Sequence, residues 1–193
     1  VATLDDDEIA AVTVGDLQPY AVEVVLEEYN PAWPDWYAEE EAVIRAALGA
    51  VALWIEHTGS TSVPGLAAKP LIDILLLVPD TTDEPAYVPA LEAAGYALRI
   101  RQPGWYQHRC LVRRVDTGAS RDVNLHVLSP ESGAPEIERI LAFRDRLRTH
   151  DSDREYYERT KRQLAQREWK FVQHYANAKS AVIEEILGRA LSG

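Results

Sequence analysis

The run Leu71-Ile-Asp-Ile-Leu-Leu-Leu-Val78, closed by Pro79, constrains this chain more than any other stretch. It is far shorter than the roughly 18–20 apolar residues that span a bilayer. It does not alternate apolar with polar residues, so it reads as a strand buried on both faces, inside a sheet with helices packed against it. One acid, Asp73, interrupts it near its start. A carboxylate in such company needs a partner or a metal ion, because burying it alone is costly.

The surrounding pattern extends this α/β reading. Val22 to Glu28 alternates briefly and predicts an edge strand. Tyr29-Asn-Pro-Ala-Trp33 is turn chemistry leading into a helix, with Pro34 in its first turn and Gly49 ending it. Strands are predicted over Ala50 to Glu56, Leu71 to Val78, Tyr96 to Arg101, Tyr106 to Arg114 and Arg121 to Leu128. A helix is predicted over Pro85 to Ala94. From Ala134 onward the chain reads as helical, with helices over Pro135 to Arg148, from Ser152 to about Glu168, and over about Tyr175 to Leu191. Ser152-Asp-Arg-Glu155 has the spacing of a capping box. With no internal repeat or low-complexity linker, one domain is expected over residues 23–193, preceded by an acidic arm over 1–22.

At 193 residues and 47% hydrophobic content, one core suffices without staples. The single cysteine, Cys110, excludes an internal disulfide and any multi-cysteine zinc site, and suits a small packing residue in a reducing cytoplasm. Acids at Leu4-Asp-Asp-Asp-Glu8 stand where a signal peptide needs basic residues, so a cytoplasmic location is expected. The net charge of −11 argues against nucleic acid as a partner. The cations concentrate between Arg139 and Lys179, which leaves room for a local basic face and one small anionic ligand.

The chemistry-bearing segment is Ile55-Glu-His-Thr-Gly-Ser-Thr-Ser-Val-Pro-Gly-Leu-Ala-Ala-Lys-Pro-Leu-Ile-Asp-Ile74. A strand ending at Gly59-Ser60 brings backbone without side-chain bulk to a ligand. Ser60, Thr61 and Ser62 add hydroxyls beside backbone N–H groups, which suits phosphate oxygens. Lys69 supplies positive charge, and Asp73 on the next strand is placed to hold Mg²⁺ between protein and substrate phosphates.

The stretch from His57 to Asp73 resembles the signature of the GrpB family, within the nucleotidyltransferase superfamily. The resemblance continues through Tyr29-Asn-Pro-Ala-Trp33, Asn124-Leu-His-Val127, Phe143-Arg-Asp-Arg-Leu-Arg148, Tyr157 with Lys161 and Tyr175 with Lys179, and so covers about residues 24–191. It implies a nucleotidyltransferase-like mixed sheet flanked by helices, with a helical C-terminal layer. Enzymes of that superfamily move a nucleotidyl group with two metal ions, held by an acid–hydrophobic–acid pattern after the Gly-Ser turn and by a third acid on a later strand. Here the first acid is Asp73, but the position two residues on is Leu75.

The strand from Asp122 to Val127 offers a replacement, since Asp122, Asn124 and His126 share one face. Asp73, Asp122 and His126 are therefore the candidate metal ligands, and Asp73, Asp122 and His57 the candidate catalytic groups. His57 fits either a general base or a brace for the Gly59 turn. Gly59, Ser60, Thr61, Ser62, Lys69, Arg144, Arg148, Lys161 and Lys179 are the candidate phosphate-binding set, with ordinary solvated helix faces as the alternative for the last four. Three functions follow: metal-dependent nucleotidyl transfer from a nucleoside triphosphate to a small acceptor, non-catalytic binding of a nucleotide or phosphate ligand, or single-metal chemistry at His57 and His126.

Overall fold

Two apolar layers enclose the sheet, and sequence parity decides which strand residues face each. The computed structural model describes residues 5–15, 24–117 and 120–191. Among them β1 (Trp54–Thr58), β2 (Leu71–Leu77), β3 (Ala97–Gln102), β4 (His108–Arg113) and β5 (Asp122–Leu128) form a mixed sheet in the order β1-β2-β5-β4-β3. β2 and β5 pair in parallel at its centre, and the other pairings are antiparallel. The architecture is α+β, with helices flanking the sheet as the sequence implies.

One face carries Ile72, Ile74 and Leu76 of β2 with Val123, Leu125 and Val127 of β5. It packs against α2 (Trp33–Leu48) and α3 (Val88–Ala93), where Trp33, Ile44 and Leu91 are fully buried. On the other face, Leu75, Leu77 and Leu128 pack beneath α4 (Pro130–Thr149) through Ile137, Ile140 and Leu141. Beyond α4, α5 (Asp151–Ala165) and α7 (Ser180–Leu191) enclose Val63 and Leu66 of the loop after β1. Asp73, Asn124 and His126 lie on this second face, by alternation from Leu75 and Leu128.

Several boundaries differ from the sequence reading, each for a local reason. Gly49, at φ +53°, ends α2 and turns the chain into a 3-10 segment (Gly49–Val51), so β1 starts later than expected and runs on through His57 and Thr58. The edge strand expected over 22–28 reduces, within the described residues, to one bridge between Glu27 and Ala68, and Pro70 has no N–H with which to extend that ladder. Pro89 likewise cannot continue the 3-10 turn Glu84–Ala86 into α3. α4 starts a turn before expectation, with Ser129 Oγ accepting from the Ser132 N–H and Pro130 in the first turn. α5 begins at Asp151 directly after α4, and the Ser152–Glu155 capping box does not form. The last helix is two, α6 (Val172–Ala178) and α7, broken at Lys179.

The acidic arm holds α1 (Asp6–Val12), started by a capping box in which Asp5 and Glu8 each accept from the other's N–H. It docks on β3 through buried Ile9 and the Val14 N–H to Arg99 carbonyl bond of 2.8 Å. Asp6 ion-pairs with Lys170, and its Oδ1 lies 3.0 Å from His174 Nε2. Cys110 is buried, and that burial pushes its thiol pKa up to about 12. No helix of the described residues is long and apolar enough to cross a membrane.

Candidate functional site

The turn after β1 and the carboxylate on β2 meet because Thr58 and Asp73 are paired across the antiparallel β1–β2 ladder. Gly59 follows at φ +66° and ψ −172°, a region that side chains other than glycine's scarcely occupy. A Cβ on Gly59 would stand 2.7 Å from Asp73 Cβ and 2.8 Å from its Cγ, closer than atoms can pack. The Gly59-Ser60 turn and Asp73 thus open onto one hollow.

That hollow has a volume of about 50 Å³ and is walled by Ser60, Thr61, Asp73, Tyr175 and three lysines, Lys69, Lys161 and Lys179. By volume it holds about three or four waters, the size of one tetrahedral oxyanion. Lys161 is 2% exposed and donates to the Ala67 carbonyl, with its ammonium over the Tyr157 ring. Lys69 and Lys179 stand over the Tyr175 ring at 5.4 and 4.7 Å from its centroid. Among the described residues none of the three lysines is in a carboxylate ion pair. Burial, and after it repulsion from Lys179, lowers the pKa of Lys69 to about 8 and that of Lys161 to about 7. Burial lowers Lys179 as well. The Tyr175 hydroxyl is buried with no hydrogen-bond partner. A hydroxyl without an acceptor and three cations without paired carboxylates are groups that an anion could satisfy.

Asp73 is held in a short polar chain. Asn124 Nδ2 donates to its Oδ1 at 3.0 Å, and His126 Nε2 lies 3.7 Å from the same oxygen. His126 Nδ1 is 3.0 Å from His108 Nε2, and His108 Nδ1 is 2.9 Å from Gln102 Oε1. Burial holds the His108 pKa well below its ordinary value, so the ring stays neutral. Burial opposes charge on Asp73, but His126, Asn124 and Lys69 together bring its pKa below the usual carboxylate value.

The other expected residues are placed differently. His57 is one residue before Thr58, so strand alternation turns it to the opposite face. There it stacks on Tyr37 at 4.8 Å and meets Thr61 Oγ1 at 3.1 Å. Burial lowers its pKa to about 4. This placement fits the brace for the Gly59 turn, and it sets His57 on the sheet face opposite to Asp73. Thr61 Oγ1 also donates to the Leu71 carbonyl, and Ser62 Oγ to the Gly59 carbonyl at 2.7 Å, so both hydroxyls shape the loop. Arg144 bonds Glu56, Asp145 and the His57 carbonyl, and Arg148 bonds the Ser62 carbonyl at 3.0 Å. These two arginines hold the loop in place, apart from the lysine hollow. Asp122 Oδ1 accepts from the Val115 N–H at 2.9 Å. Among the described residues no three His, Cys, Asp or Glu side chains gather as a metal site. Leu75, where a second acid would stand, is buried beneath α4. Nothing in the spacing of Tyr175 or His108 marks either out in the sequence as part of this site.

A larger cleft of about 900 Å³ adjoins the hollow, and Ser60, Asp73 and Lys179 line both. It runs past His126, His108 and Trp105 and along α4 and α7 toward α1.

Comparison with known proteins agrees with this architecture. The chain matches the family described as GrpB protein over residues 23–189. It is 54% identical over 185 residues to a UPF0157 protein of Halalkalibacterium halodurans, covering 96% of this chain and 91% of that one. It is 46% identical over 172 residues to a UPF0157 protein of Streptomyces coelicolor, covering 89% and 87%. The crystal structure of conserved protein GrpB from Enterococcus faecalis superposes with a TM-score of 0.75 at 33% identity, covering 87% of this chain and 98% of that one. With the family matched across most of its length, the chain belongs to the GrpB family.

Proposed function

We propose that this protein binds the phosphate group of a small anionic molecule in the hollow formed by Ser60, Lys69, Lys161, Lys179 and Tyr175. The observation that carries the reading is the convergence of three buried or half-buried lysines, without an ion-paired carboxylate among the described residues, on a space of oxyanion size. Keeping such cations together in a water-poor site is unfavourable until an anion arrives, so binding and folding stability are linked. Ser60 contributes a hydroxyl and Tyr175 an unpartnered one, both donors to phosphate oxygens.

A second reading, nucleotidyl transfer from a nucleoside triphosphate with Mg²⁺, is favoured by the contact between Asp73 and Gly59. One protein carboxylate completed by substrate phosphate oxygens is a donor set that magnesium accepts. The absence of an acid at Leu75 and the engagement of Asp122 with Val115 favour binding over two-metal transfer.

Calorimetric titration with inorganic phosphate and with ATP, each with and without Mg²⁺, tests both. The binding reading expects metal-independent phosphate uptake that Lys161→Met and Lys179→Met each reduce at least tenfold. Unchanged affinity in both variants sinks it. Pyrophosphate release from ATP and a panel of acceptors tests transfer, and its absence removes the second reading while leaving the first.

A further inference from the structure

We propose that the ligand is a soluble phosphomonoester with an extended apolar body, its phosphate in the lysine hollow and its body along the cleft between α4, α7 and the sheet; this rests on the phosphate reading above. The hollow alone has room for one oxyanion, so a ligand seated there must continue into the cleft past Ser60, Asp73 and Lys179. The apolar walls of that cleft include Ile140, Phe143, Leu147, Ile183 and Trp105. The arginines on those walls are each paired: Arg139 with Glu136 at 2.7 Å, Arg144 with Glu56 at 2.7 Å, and Arg101 with Glu84 at 2.6 Å. Positive charge in excess is therefore concentrated at the lysine end, and the rest of the cleft offers chiefly hydrocarbon.

This arrangement fixes polarity along the ligand: dianion at one end, apolar surface for the remaining length. A volume of about 900 Å³ exceeds what a short phosphate ester fills and suits a long one. The source of the phosphate is a free small molecule. A net charge of −11 opposes adsorption to an anionic bilayer, where a phospholipid headgroup would have to be met.

The test is a calorimetric series with inorganic phosphate, then methyl, butyl, hexyl and octyl phosphate, each below its micellar concentration. The expected result is a gain of about fourfold in affinity for each methylene added beyond butyl. Ile140→Gln and Ile183→Gln, on different helices, flatten that slope while leaving inorganic phosphate binding at its original strength, which also shows the variants are folded. Adenosine monophosphate binds more weakly than octyl phosphate, and vesicles of phosphatidic acid do not co-sediment the protein. Affinity that stays flat along the series while phosphate still binds overturns the apolar-body proposal and spares the phosphate reading. No binding of inorganic phosphate overturns both, and co-sedimentation with vesicles overturns the soluble source.

Discussion

Replacing Gly59 with alanine perturbs the contact on which the site is built. Two costs add. Gly59 sits at φ +66° and ψ −172°, a conformation that costs a residue with a Cβ about 1–3 kcal/mol. The added methyl would also stand 2.7 Å from Asp73 Cβ, and nearer still to its Oδ2, so strand β2 or the turn must shift. Overpacking of this kind costs about 1–3 kcal/mol. The sum, roughly 2–6 kcal/mol, lowers Tm by at least about 4 °C for a chain of this size. Gly65→Ala is the internal control: it shares a positive φ of +77°, but its added Cβ meets nothing within 4 Å. Differential scanning calorimetry should therefore rank wild type above Gly65→Ala and both above Gly59→Ala, with phosphate binding lost only in Gly59→Ala. Equal Tm values for the two variants would refute the argument, since the clash with Asp73 would then be absent.

Three further outcomes follow from named groups. Lys161, with its folded pKa near 7 against 10.5 when exposed, leaves the unfolded chain holding more protons between those values. Ligand-free protein should therefore gain stability as pH rises from 7 to 9.5, by urea midpoint, and Lys161→Met or saturating phosphate should shrink that gain. Asp73→Asn removes a negative charge from the rim of the anion hollow and should tighten metal-free phosphate binding in calorimetry. Because the folded Asp73 pKa lies below its unfolded value, the stability it contributes is present above the unfolded pKa and lost as pH falls through the folded one, so the variant should lose less stability than wild type below pH 4. Glu40 is 3% exposed and accepts from the Tyr96 hydroxyl at 2.7 Å and from Arg113 at 3.0 Å. Glu40→Ala leaves both donors without it and should cost about 3–5 kcal/mol by chemical denaturation, with phosphate affinity unchanged.

The sequence carried the parts of this site that depend on local spacing. A Gly-Ser turn followed by an acid on the next strand is a short-range pattern, and β1 pairing back on β2 brings its ends together. Which histidine faces the cleft was not legible, because it rests on strand parity. Ending β1 at Glu56 leaves His57 in a loop and free to reach phosphate, whereas the strand's continuation to Thr58 turns it toward Tyr37. The cations show the same limit. Arg144 and Lys161 are alike in being charged residues on C-terminal helices, yet one is consumed by the carbonyl and carboxylate behind the loop and the other faces the hollow. Only the packing of α4 and α5 separates them. Lys179 is aimed by the break between α6 and α7, which helical periodicity over Tyr175 to Leu191 conceals. The buried, unpartnered Tyr175 hydroxyl is invisible in a sequence, where an aromatic at helical spacing reads as packing.

The most direct test is a crystal structure of the protein grown in saturating phosphate at pH 7. The account predicts tetrahedral density within hydrogen-bonding reach of Ser60 Oγ, Lys69 Nζ, Lys179 Nζ and the Tyr175 hydroxyl. Those four groups facing only water, with phosphate bound elsewhere or nowhere, would contradict it.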